Sequence, residues 1–121
     1  MYTALEGTAA KPWEGERVAV VSVYAIFANA DEAGRIGRQL VEERLAACIN
    51  ILGECRSIYR WRGAVETAHE VPAILKTTSA QADALVARIA ALHSYELPCV
   101  TVWPIDKLLV SYAEWVESST G

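Results

Sequence analysis

Three short segments gather the side chains best able to bind a ligand or move a proton. His93-Ser94-Tyr95-Glu96 sets an imidazole, a hydroxyl, a phenol and a carboxylate in consecutive positions. The segment falls at the end of a helical pattern, where the helix dipole favours a cationic ring. There Glu96 can pair with His93, share an acid/base role with it, or join it on a metal ion. Two ligands fall short of a tetrahedral or square-planar set, which needs three or four. A lone histidine closing an apolar stripe is also more often packed than ligating. The second segment, Ser57-Ile58-Tyr59-Arg60-Trp61-Arg62-Gly63, reads as one arm of a hairpin. Strand alternation puts Tyr59 and Trp61 on one face and Ile58, Arg60 and Arg62 on the other. Such rings serve a core or an interface, because each buries a large area with few rotatable bonds. The third segment is Glu66-x-x-His69-Glu70, followed by Lys76. A period of two separates His69 from both glutamates, so the three do not converge unaided. Glu70 and Lys76 share a parity and could face one cleft. No nucleophile elbow, phosphate loop or complete metal triad accompanies these groups.

The elements that must carry them follow from periodicity. Val18 to Phe27 is β-branched, aromatic and apolar on both parities, as a central strand covered on both faces would be. Asn29 offers an N-cap oxygen with Glu32 three residues later. Ala33, Ile36, Gly37, Leu40 and Val41 then form one helical stripe. Gly37 costs such a helix roughly 1 kcal/mol relative to alanine, tolerable if the backbone must lie close to a sheet. Cys48 to Leu52 and Ser57 to Arg62 read as strand, with a bulge or kink at Gly53-Glu54. Val65 to Thr77 returns, and Pro72 inside it marks an edge position or an irregularity. A second helix opens with Thr78 and Gln81 at capping-box spacing; its stripe is Ala82, Leu85, Val86, Ile89, Ala90 and His93. Cys99 to Trp103 is a short strand ended by Pro104. A last helix is expected from a Ser111-x-x-Glu114 capping box, with Tyr112, Trp115 and Val116 on its apolar side. The order βαββαβ plus a terminal helix, with right-handed crossovers, predicts an α+β ferredoxin-like sandwich with an extended hairpin. Residues 1–16 are expected to form a loose extension tethered by Trp13, and residues 17–121 the domain.

Composition narrows the function classes. The chain has 121 residues, 53% of them hydrophobic and 21% charged, with a formal net charge of −4. A chain of this length buries a core unaided, and so apolar a composition points to burial by a symmetric partner. The acidic balance and the lack of a basic run argue against a nucleic-acid binder. Three cysteines with no CxxC pair argue against a zinc ribbon or a two-thiolate metallochaperone, and for a reducing cytoplasm. No stretch reads as a secretory signal or a membrane span. Helices on one face only would leave the other sheet face bare, to be covered by the terminal helix or, as we expect, by a neighbouring subunit.

From about Val18 to Val116 the chain resembles the CutA divalent-cation-tolerance family. The resemblance is carried by Asp31-Glu32-Ala33, Glu43-Arg44-Leu45-Ala46-Ala47-Cys48-Ile49-Asn50, the Ser57–Gly63 hairpin, Glu70-Val71 leading to Leu75-Lys76-Thr77, and His93-Ser94-Tyr95-Glu96. It implies a homotrimer built through extended hairpins, resembling P-II-type signalling trimers in architecture. It also implies tolerance of copper and other divalent cations, with no organic cofactor. Some members have been proposed to bind copper through a cysteine at the end of the first strand and through consecutive histidines. Phe27 and Leu92-His93 stand at those places here, and Ser94 replaces a proline of the pattern. Carried over by position, His93 and Glu96 remain as ligands for copper(II) or another divalent cation. Tyr59, Trp61, Glu70, Lys76 and Tyr95 are expected to line a cleft between subunits. The rival reading is a small enzyme using His93 and Glu96 as an acid/base pair, with Lys76 beside them.

Overall fold

The computed structural model describes residues 11–121, so most of the expected extension lies outside the described residues. Of its remainder, the Pro12 carbonyl accepts from Val110 N at 2.9 Å, and the Lys11 and Lys107 ammonium groups each lie 5.8 Å from the Trp13 ring centre. The elements in chain order are β1 (Val20–Phe27), α1 (Ala30–Glu42), β2 (Cys48–Ile51), β3 (Cys55–Trp61), β4 (Ala64–Thr78), α2 (Ser79–Leu92), β5 (Val100–Pro104) and α3 (Val110–Ser118).

All pairings are antiparallel. The sheet runs β2-β4-β1-β5, and β3 continues alongside the first half of β4. The fold is ferredoxin-like. The odd residues of β1 and of the second half of β4 face the helices. Val23, Ala25, Phe27, Ala73 and Leu75 are buried there with Ala33, Ile36 and Leu40 of α1 and Leu85 and Ile89 of α2. That burial is the main stabilising contribution, each Val, Leu, Ile or Phe among them being worth about 1.5–3 kcal/mol. Both main helices start where their caps were expected: Asn29 Oδ1 accepts from Glu32 N at 2.8 Å, and Thr78 Oγ1 from Gln81 N at 3.3 Å. Ala90, assigned to the stripe of α2, is exposed. Gly37 is where helix and sheet touch; a Cβ there would lie 2.6 Å from Ile49 Cδ1.

The β2–β3 interruption is a bulge. Ile51 pairs with Ala73 and Cys55 with Glu70, so three residues oppose two. Pro72 sits opposite it. Its carbonyl accepts from Leu52 N at 2.9 Å, and a residue's N–H points the same way as its C=O in a strand, so the missing donor faces the irregular stretch. The hairpin closes through Arg62-Gly63, both at positive φ (50° and 84°), as a two-residue turn matched to strand twist requires.

The terminal helix departs from expectation. Its N-cap is Leu109, with no side-chain cap bond, so the Ser111-x-x-Glu114 box is not formed. Ala113 and Val116 are its buried residues, and Trp115 stays exposed. With Val20 and Ala47 they make a second small core, so α3 covers one end of the sheet's other face.

Candidate binding cleft

The 93–96 segment follows α2 directly, and its first residue is drawn inward. The His93 side chain is fully buried. Its Nε2 lies 2.7 Å from the Ile26 carbonyl, and its Nδ1 accepts from Tyr95 N at 3.0 Å. These partners fix the tautomer, with the proton on Nε2. The ring stacks on Phe27 at 5.2 Å and lies 4.7 Å from Tyr95. Both nitrogens of the expected ligand are therefore engaged. Glu96 points elsewhere, onto Arg62 Nη2 at 2.7 Å across a surface pair. The structure ties Glu96 to the hairpin tip and His93 to the core, and offers neither as a free ligand. The acid/base pair of the rival reading meets the same geometry.

Glu32 is the residue that sequence reading missed. It was read as the far member of a capping box, yet it is buried beneath the 93–96 segment. Oε1 accepts from Ser94 N at 2.9 Å, while Oε2 accepts from Ser94 Oγ at 2.9 Å and from Ala28 N at 3.3 Å. Burial pushes its carboxyl up, but the hydrogen bonds from the Ser94 amide and hydroxyl and from the Ala28 amide outweigh this and hold it below its ordinary value. No spacing rule joins Glu32 to Ser94, 62 positions away. Ser94, noted as a departure from the family pattern, is what holds this carboxylate.

A cleft of about 600 Å³ opens between this segment and the inner face of the arm. Tyr59, Trp61, Glu70, Tyr95 and Glu96 all line it, joined by Glu66, Leu97 and Cys99. Four of the five expected cleft residues are thus brought together. Lys76 is not: it lies farther along β4, opposite Ser22 and Cys48, and is absent from the lining. His69 is outside it as well, paired with Glu54 at 3.2 Å on the surface. Register explains the grouping. Ser57, Tyr59 and Trp61 stand opposite Ala68, Glu66 and Ala64, and Cys55 opposite Glu70, so one parity of each strand shares a face. Glu70 is nearly buried, and its Oε2 accepts from the Tyr95 phenol at 2.7 Å. Burial, then that carboxylate, raises the phenol well above its ordinary value. Tyr24 is raised too, by burial and then by Cys55, Cys99 and Glu70. Cys48 is a packed thiol, 3.7 Å from Tyr112 Oη.

Comparison with known proteins agrees with this frame. The family described as CutA1 divalent ion tolerance protein matches residues 21–119. The divalent-cation tolerance protein CutA of Thermus thermophilus is 40% identical over 100 residues, spanning 82% of this chain and 97% of that protein. The Thermotoga maritima protein of the same name is 37% identical, spanning 83% and 98%. The chloroplastic protein CutA 1 of Oryza sativa is 36% identical over 83% of this chain, which spans 56% of that longer relative. Among solved structures, CutA1 from Oryza sativa superposes with a TM-score of 0.83 at 35% identity, over 87% of this chain and 96% of that one. The Thermus and Thermotoga relatives are named for tolerance of divalent cations, and none of the three for an enzymatic activity. The chain belongs to the CutA1 divalent ion tolerance protein family.

Proposed function

We propose that this chain works as a cytoplasmic homotrimer, a binding or signalling protein of the divalent-cation-tolerance family with no catalysis of its own. The observation that carries the reading is the face of the sheet left uncovered by the helices. Tyr24 and Trp103 stack there at 5.0 Å, and Trp103 and Trp115 remain 45% and 44% exposed. Among the described residues the outer edges of β2, β3 and β5 have no strand partner. Aromatic surface beside open strand edges is the kind a closed ring of copies covers. Light scattering at micromolar concentration is expected to give three times the chain mass; a stable monomer would overturn the reading.

The family's link to divalent cations enters less directly. One copy does not supply copper(II) or another divalent cation with a site at His93 and Glu96. The first has both nitrogens bonded and the second sits on Arg62, and no three His, Cys, Asp or Glu side chains are grouped to hold an ion among the described residues. The geometry therefore supports a small-ligand or signalling role through the cleft better than a copper site within one chain. Calorimetric titration of copper(II) is expected to give the same isotherm for wild type and Glu96→Gln. A loss of heat in the variant would restore Glu96 as a ligand. The three free thiols, Cys48, Cys55 and Cys99, suit a reducing compartment, which cell fractionation tests.

A further inference from the structure

We infer that the cleft binds an organic cation, a protonated amine carried on an aromatic or apolar body. The inference rests on the reading above only in taking the cleft as the responsive site. Its starting point is Glu70. This side chain is 7% exposed and lines the cleft, with one oxygen on the Tyr95 phenol. Among the described residues no Lys, Arg or His forms an ion pair with it. A phenol hydrogen bond does not cancel a carboxylate's charge, and a desolvated charge without a counter-ion is a costly arrangement that a cationic ligand relieves.

The surroundings say what kind of cation. Tyr59, Trp61 and Tyr95 line the same space, and ring faces attract organic ammonium groups while offering no lone pairs to a hard metal ion. The Trp61 ring already attracts one cation, the Arg62 guanidinium 5.3 Å from its centre. Glu66, directly opposite Tyr59, adds negative charge against Arg60, while the charge of Glu96 is paired with Arg62. An anionic ligand is disfavoured by that balance. A neutral apolar ligand would desolvate Glu70 further and give it nothing. The volume, about 600 Å³, falls within the range of small-molecule sites. In the bound arrangement the amine donates to the second oxygen of Glu70 and its body lies against the rings.

The probe is benzylammonium, titrated by calorimetry into the full chain beside benzyl alcohol as its neutral counterpart. Saturable binding at one site per chain is expected, at least about tenfold weaker for benzyl alcohol. The same loss, about tenfold, is expected for benzylammonium with Glu70→Gln, which keeps an acceptor for Tyr95 while removing the charge. Trp61→Ala, on the exposed arm, is expected to weaken binding without affecting the core. Equal binding of the alcohol, an unchanged affinity in Glu70→Gln, or no saturable heat in the millimolar range would overturn the proposal. Light scattering on the same samples separates the two readings. A trimer that ignores benzylammonium removes this inference alone, and a monomer that binds it removes the assembly alone.

Discussion

Glu32 joins three stretches of chain with one carboxylate: the end of β1, the start of α1 and the segment after α2. Its carboxyl is held below the ordinary value of 4.5, so it contributes stability at neutral pH, and that contribution is lost as pH falls through the lowered folded value. Glu32→Gln is expected to cost about 1–3 kcal/mol at pH 7, because the Ser94 amide and hydroxyl lose a charged acceptor. In urea melts the gap to wild type should close under acid conditions; a gap independent of pH would count against the assignment. Tyr95→Phe keeps the ring but deprives Glu70 of its bond, and a loss of about 1–3 kcal/mol is expected in the same measurement. At this scale the sequence was half legible. The family resemblance, not spacing, grouped Tyr59, Trp61, Glu70 and Tyr95 with Lys76 as the lining of a cleft between subunits; one copy brings the first four together and leaves Lys76 outside. The partners of Glu32 and His93 were hidden because they lie 62 and 67 positions away and owe their approach to packing.

At the scale of elements, sequence reading did best where one residue type answers one geometric need. Asn29 and Thr78 cap helices, Gly37 lets α1 approach Ile49, and Gly63 turns the hairpin at positive φ. Gly37→Val should cost about 1–3 kcal/mol by overpacking against Ile49, read as a lowered urea midpoint. Gly63→Ala strains the turn, where a left-handed residue costs about 1–2 kcal/mol. Its effect is expected as faster hydrogen exchange in β3 and the first half of β4, with the helices unchanged. Sequence reading did worst at α3, where Ser111 and Glu114 had capping spacing. Packing of Ala113 and Val116 on Val20 and Ala47 set the helix start two residues earlier than that box requires.

For the whole molecule, surplus apolar residues in the composition became particular exposed rings. Trp103→Glu places charge on the uncovered sheet face and Trp115→Glu on the exposed side of α3, and each is expected to shift the proposed trimer toward monomer in light scattering while leaving the circular dichroism of the subunit intact. An unchanged mass in both would move the contact surface elsewhere. Which ring meets which neighbour was not legible in the sequence, because alternation assigns a side chain to a face and says nothing of what lies across it.

The bulge at residues 52–54 and the proline opposite it amount to two faults that cancel. A surplus residue leaves a gap in the ladder, and Pro72 has no hydrogen to place there. Either change alone exposes the other fault. Pro72→Val would present an amide with no acceptor, and deletion of Gly53 would present an acceptor with no amide. Made together, the two should restore a regular ladder and cost less than the sum of the separate changes. The pair is thus expected to be epistatic, able to be gained or lost in a lineage only in company.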